Sequence, residues 1–229
     1  QPHTLNDASP PPELTRKGLR RSTDLRVLWL LRMLVPLKGF TWLLQHEDMY
    51  ACDRAASMLG LPPTVTKAEI PARKAGLRQA WLDAEARAGD FRLRQPLARN
   101  LEKISQLFGF DRVESQVLGF VLTAAFEPAI EAAINEIPAL SNRIGEPWTK
   151  ILGLSKASVR KALSANSRLG RAGLFQMESP IMQAVSGLQM NRPELGGVYV
   201  DGDWRPERLL KGLARRAPAP AGSMLSMTI

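Results

Sequence analysis

Apolar positions recur at helical spacing along most of this chain. Leu97, Leu101, Ile104 and Phe108 fall at i, i+4, i+7 and i+11, which predicts an amphipathic helix over 95–108, and "FGF" ends it. Asp111 stands three residues before Glu114, the spacing of a capping box, and opens a helix "VESQVLGFVLTAAF". That helix is apolar on most of its surface, so it belongs at the centre of the core. Pro128 then either occupies the first turn of a further helix through Ile137 or kinks a single long one.

Upstream, "LRVLWLLRMLVPLKGFTWLL", Leu25 to Leu44, is the most apolar segment. Arg26, Arg32, Pro36 and Lys38 interrupt it, so it lacks the unbroken run of a membrane helix and reads as buried. The pattern predicts two helices over 23–60, breaking near "VPLKGF", with Trp42, Leu43, Met49, Ala56 and Leu59 on the second. "GLPPTVT" is a loop, and a helix follows over 71–88 with Leu77, Trp81 and Ala84 on one stripe. Strand signals are thin. "GLFQM" and "GVYVDGDW" are the two candidates, while "ESPIMQAVSGLQMNRPELGG" reads as helical through Ile181, Val185 and Leu188.

The segment with the most chemistry in it is "PWTKILGLSKASVRKALSANSRLGRAGLF". It predicts a helix-turn-helix: "PWTKILGL", a turn, then "SKASVRKALSA" with Ser155 as N-cap. Trp148, Ile151, Leu152, Leu154, Val159, Leu163 and Leu169 make its small core. No acidic residue occurs between Glu146 and Glu178, whereas Lys150, Lys156, Arg160, Lys161, Arg168 and Arg171 all fall there. These six cations and Ser158 are the candidate nucleic-acid contacts, with lysines suited to phosphates and Arg160 able to reach a guanine edge. Winged DNA readers also carry a β-hairpin after the second helix, and the helical reading of "ESPIMQAVSGLQMNRPELGG", which lacks a hairpin turn, makes the wing absent or degenerate.

Charge and composition narrow the classes only a little. There are 31 Lys and Arg against 22 Asp and Glu, a net +9 that permits association with polyanions without dictating a fold. Cys52 is the single cysteine, which excludes an internal disulfide and fits a reducing, cytoplasmic setting. One Cys and two His offer no metal-ligand spacing. His46 and Cys52, six residues apart, do not share a helix face, so a core thiol and a surface imidazole are expected. There is no G-x-S-x-G elbow and no dinucleotide-binding glycine spacing.

Two stretches together resemble the N-terminal region of a group of bacterial AAA+ ATPases. They are "LEKISQLFGFDRVESQVLGFVL" and "KILGLSKASVRKALSANSRLGRAGLFQM", and the resemblance extends over about Arg94 to Ile229. It implies a winged-helix-like unit, then a short linker into an ATPase module. The phosphate-binding G-x-x-x-x-G-K-[ST] motif is missing, and the dipeptide Gly-Lys occurs nowhere. Within the resemblance, ATP and Mg would therefore belong to a downstream module, and this chain carries no cofactor and no catalytic residue.

The expected fold is mostly α: a helical bundle followed by a winged-helix-like helix-turn-helix unit with little strand. The expected organisation is a Pro-rich basic lead over 1–22, a helical domain over 23–137, a helix-turn-helix domain with following helices over 138–216, and a linker over 217–229. The expected function is a non-catalytic regulatory or interaction region that recruits a protein partner or substrate to an AAA+ motor, with no membrane partner. Trp29, Trp42 and Trp204 are its candidate partner anchors, since aromatic residues dominate interface hot spots, although each fits a core position better, Trp204 least so because "DGD" and "RPER" flank it. The alternative is a DNA-binding helix-turn-helix protein of the transcription-regulator type, and nonspecific contact with nucleic acid fits either reading.

Overall fold

The computed structural model describes residues 23–45, 49–62, 66–141, 146–174, 176–177, 188–189, 194–207 and 209–210. The predicted lead over 1–22, the linker over 217–229, and His46, Ile181 and Val185 lie outside them.

The described residues are mostly helical. Helix α1 (Leu25–Leu34) starts at Asp24, whose carboxylate accepts the Arg26 N–H at 3.1 Å. From Arg26 to Leu34 every residue is buried, so α1 runs through the interior. The span of the predicted second helix contains α2 (Phe40–Gln45) and α3 (Met49–Met58), on either side of residues 46–48, which lie outside the described residues. Helix α4 (Ile70–Ala86) lies on α1 through Leu77 and Ala84, with its other side in solvent.

Helix α5 (Leu97–Phe108) stops where predicted, at Gly109 in the left-handed conformation (φ 65°) that glycine adopts without a Cβ clash. Helix α6 (Arg112–Phe126) opens with the predicted capping box: Asp111 Oδ1 accepts the Glu114 N–H at 2.8 Å, and Glu114 Oε2 accepts the Asp111 N–H at 3.0 Å. Val117 to Ala124 are all buried, so α6 is the second interior helix. Pro128 begins a separate helix, α7 (Pro128–Glu136), at 94° to α6. A proline lacks the N–H that first-turn positions leave unbonded, which explains its tolerance there.

The short helices α8 (Pro138–Ser141), α9 (Glu146–Leu152), α10 (Lys156–Ala162) and α11 (Arg168–Arg171) follow. Among the described residues the strands are β1 (Gln176–Met177) and β2 (Leu188–Gln189), paired antiparallel, so "GLFQM" does contribute a strand and Leu188 is extended rather than helical. The other strand candidate, "GVYVDGDW", is corrected: Glu194–Val200 form helix α12. Leu195 and Val198 are buried three residues apart, and α12 packs against α5 and α6, so a helical stripe wins over the β-propensity of Val and Tyr.

One hydrophobic cluster runs from Val27 to Leu209 and passes through the expected domain boundary near residue 138. Trp29 of α1 meets Phe120 of α6 edge-on at 5.1 Å, and Phe120 meets Trp148 of α9 edge-on at 5.2 Å. The aromatic chain therefore joins the bundle to the helix-turn-helix. Among the described residues no single helix is long and apolar enough to cross a membrane; α6 and α7 reach that length only together, across their bend.

Candidate functional site

Residues 146–162 form helix, tight turn and helix as the sequence pattern predicts. Gly153 closes α9 at φ 68°, and the Gly153 and Leu154 N–H groups donate to the Thr149 carbonyl at 2.9 and 3.2 Å. Ser155 caps α10 by accepting the Ser158 N–H at 3.1 Å. Trp148, Ile151, Leu152, Val159, Leu163 and Leu169 are buried as expected, and Leu154 is half-buried.

The ends of these helices are closed by side chains from the bundle. Arg32 of α1 donates from Nη1 to the Ile151 carbonyl at 2.8 Å, near the C-terminus of α9. Gln116 of α6 donates from Nε2 to the Leu152 carbonyl at 3.0 Å. Glu114 of α6, with one oxygen already in its capping box, uses the other to accept the Arg168 and Leu169 N–H groups at 2.9 and 3.3 Å. Carbonyls at a helix C-terminus and amides at an N-terminus have no partners within the helix, and here tertiary contacts supply them. A guanidinium at the C-terminal end and a carboxylate at the N-terminal end also match the helix dipole.

Arg32 is itself held by Glu85 of α4, with Nε–Oε1 at 2.7 Å and Nη2–Oε2 at 2.8 Å. Trp81 Nε1 donates to the same Glu85 oxygen at 3.0 Å. Hydrogen bonding to Arg32 holds the Glu85 carboxyl below its ordinary value of 4.5, against an opposing effect of burial.

Of the seven predicted nucleic-acid contacts, Lys156, Arg160 and Lys161 point outward on α10, and Arg171 is exposed on α11. Lys150 is exposed but pairs with Glu146 at 3.1 Å, one helical turn away. Arg168 is exposed, yet its Nη1 donates back to the Gly109 carbonyl. Ser158 is half-buried and its Oγ lies 2.8 Å from Ser155 Oγ, so it belongs to the cap of α10 rather than to the outward face.

The three candidate anchors are corrected. Trp29 is 0%, Trp42 5% and Trp204 1% exposed, so none presents an indole to a partner. The charged residues around Trp204 suggested exposure, but α12 and the chain after it fold that ring inward. Its carbonyl accepts a hydrogen bond from Lys103 Nζ at 2.9 Å, and Gly197 lies directly against the ring.

A buried ionic cluster escaped the sequence reading. Arg26 pairs with Asp24 (Nη2–Oδ2 2.8 Å) and with Glu127 at the α6–α7 joint (Nη1–Oε2 2.6 Å). Arg54 of α3 reaches Glu127 Oε1 at 2.9 Å, and Arg94 reaches Asp24 Oδ2 at 2.7 Å. Tyr199 of α12 donates to Glu127 at 3.4 Å. Burial pulls the Arg26 pKa down, but Asp24 and then Tyr199 outweigh it and the net shift is upward. Burial is also the main cause that raises Tyr199 above 10.0. The cluster joins α1, α3, the α6–α7 joint and α12, which makes it a structural staple. Two signals pointed to it: cations inside an apolar run, and a glutamate just before a helix-opening proline.

Other chemistry is sparse. Cys52 is half-buried, with Sγ 3.7 Å from the Trp42 carbonyl. Among the described residues no cluster of His, Cys, Asp and Glu could hold a metal. An open groove between the start of α5 and the end of α12 is lined by Arg99, Glu102 and Val200, and Arg99 there donates to the Gly202 carbonyl. Comparison with protein-family models, with curated proteins and with solved structures found no match to this chain.

Proposed function

We propose that this chain is a non-catalytic regulatory and interaction region that precedes an AAA+ ATPase module, recruits a protein partner or substrate, and passes the event to the motor through the helix-turn-helix unit. The observation that carries the reading is the meeting of the two stretches behind the family resemblance. Residues 101–122 supply most of α5 and α6, residues 150–177 supply the C-terminal end of α9 and all of α10 and α11, and the two stretches pack on one another through α6. Glu114 and Gln116 from the first stretch close helix ends in the second. Side-chain clamps and a shared core make the unit stiff, and a stiff unit can carry a displacement from a partner surface to a neighbouring module.

ATP hydrolysis by the native polypeptide tests this. The reading expects Mg-dependent ATPase activity whose basal rate changes several-fold, without being abolished, when Glu114 is replaced by Gln or Arg32 by Lys. A native polypeptide that neither binds nor hydrolyses ATP overturns it. One observation favours the second reading, a DNA-binding protein: the outward face of α10 is basic, and among the described residues its cations have no acidic partner.

A further inference from the structure

We propose that the outward face of α10 and α11 is a docking surface for the phosphate backbone of duplex DNA, bound without regard to sequence. A rotation of 3.6 residues per turn puts Lys156, Ala157, Arg160 and Lys161 on one side of α10, while Val159 and Ala162 turn inward. Lys156 and Arg160 are one turn apart, with Cβ atoms roughly 5–6 Å from each other. Among the described residues Lys156, Arg160, Lys161 and Arg171 have no acidic partner. Nearby carboxylates are already engaged: Glu114 is buried in two helix caps, Asp111 is in its capping box, and Glu146 lies against Lys150.

What the face lacks identifies its occupant. The exposed residues from 156 to 171 are Lys156, Ala157, Arg160, Lys161, Ala165, Asn166, Arg168 and Arg171, with no large apolar or aromatic side chain among them. Protein interfaces are built around such anchors and are depleted in lysine. Single-stranded nucleic acid needs aromatic platforms for its bases, and none is present. A rigid double-stranded polyanion needs neither. The major groove of B-form DNA also admits a helix, which the deep, narrow groove of A-form RNA does not.

Base readout has little to work with, because Arg160 is the only guanidinium on α10 and the outward side of that helix carries no Asn or Gln. Lysines act on phosphates as point charges, so the expected contact is indifferent to sequence. The clamps on α9 and α11 hold α10 in place before binding, which lowers the ordering cost. Such contact requires no motor downstream, so it stands or falls apart from the ATPase reading.

The test is fluorescence anisotropy of the 229-residue chain with two labelled DNA duplexes of unrelated sequence, across a salt series. The expected result is equal affinity for both duplexes and a log–log salt slope of about −3 to −4, from about 0.9 per neutralised phosphate. The K156E/R160E/K161E variant should bind at least about 30-fold more weakly with an unchanged circular dichroism spectrum. K67E/K74E/R78E, the same charge reversal on and before α4, should stay within about threefold of the parent. Equal loss in the two triple variants would overturn the proposal, since attraction would then follow net charge. So would no loss in the α10 variant, or stronger competition by polyglutamate than by unlabelled duplex, which would make an acidic protein the partner.

Discussion

Arg32 and Ile151 are 119 residues apart in sequence, and the guanidinium of one donates to the carbonyl of the other at 2.8 Å. The same guanidinium grips both oxygens of Glu85. A single cation of the central helix thus connects a surface helix to the end of the first helix of the helix-turn-helix. Arg32 is 7% exposed, so its charge is withdrawn from water and depends on these partners.

Removing Arg32 should therefore be costly. Arg32→Ala strips Glu85 of its cation, leaving it only the Trp81 N–H, removes the Arg32 donor from the Ile151 carbonyl and leaves a gap, with an expected loss of about 3–5 kcal/mol. Arg32→Lys keeps the charge but cannot serve both partners with one planar fork, and about 1.5–3 kcal/mol is expected. Urea denaturation of both variants gives the comparison, and equal losses would contradict the role given to the fork.

Gly153 provides a second test at the same place. Its φ of 68° disfavours any side chain, and a Cβ there would lie 3.0 Å from Arg32 Nη1. Gly153→Ala should lose about 1–2 kcal/mol from the left-handed conformation alone, and more where Arg32 is present. In the Arg32→Ala background only the backbone part should remain. A double-mutant cycle should then show coupling of about 0.5 kcal/mol or more, whereas additive losses would mean that the two residues do not share the clamp.

Glu114 accepts three backbone N–H groups from two helices. Glu114→Gln keeps one acceptor oxygen and places an amide group where the other stood. Glu114→Ala removes both acceptors, and about 2–4 kcal/mol is expected from two or more unsatisfied amides. Hydrogen exchange at Arg168 and Leu169 should accelerate more in the Ala variant than in the Gln variant. Unchanged protection there would remove Glu114 from the account.

Acid should loosen the Glu85–Arg32 pair in a defined direction. The carboxyl of Glu85 titrates below 4.5 in the folded state, so the unfolded chain takes up its proton first as pH falls. The stabilisation is fully present well above pH 4.5 and is lost as pH drops through the folded value. Urea midpoints for the parent and Glu85→Gln should draw together as pH falls below 4.5. A gap that stays constant as the pH is lowered would mean that the pair contributes no pH dependence.

Elements whose evidence is local were legible in the sequence. The stripe from Leu97 to Phe108, the capping box at Asp111 and Glu114, the cap at Ser155 and the stop at Gly109 each lie within a few residues of the structure they specify. Contacts made across the fold were not. Nothing near Glu114 announces that its second oxygen reaches Arg168, 54 residues on. Val198, Tyr199 and Val200 have the propensity of a strand, and only the faces of α5 and α6 make a helix the better burial. Trp204 misled for the same reason: its neighbours in sequence are charged, whereas its ring is buried against Gly197 of α12. In the candidate face, composition named the cations, and Lys156, Arg160, Lys161, Arg168 and Arg171 are exposed. Which of them were already engaged depended on Glu146 and Gly109, and for Ser158 on Ser155.

The side-chain clamps from α1 and α6 should make α9, α10 and α11 open as one body with the bundle. Native-state hydrogen exchange at low denaturant tests this most directly, amide by amide. The prediction is that core amides of α9 and α10, such as those of Ile151 and Val159, open with the same free energy and denaturant dependence as those of Phe120 and Leu122 in α6. Earlier opening of the helix-turn-helix, with α6 still protected, would contradict it and would make the unit a separable module.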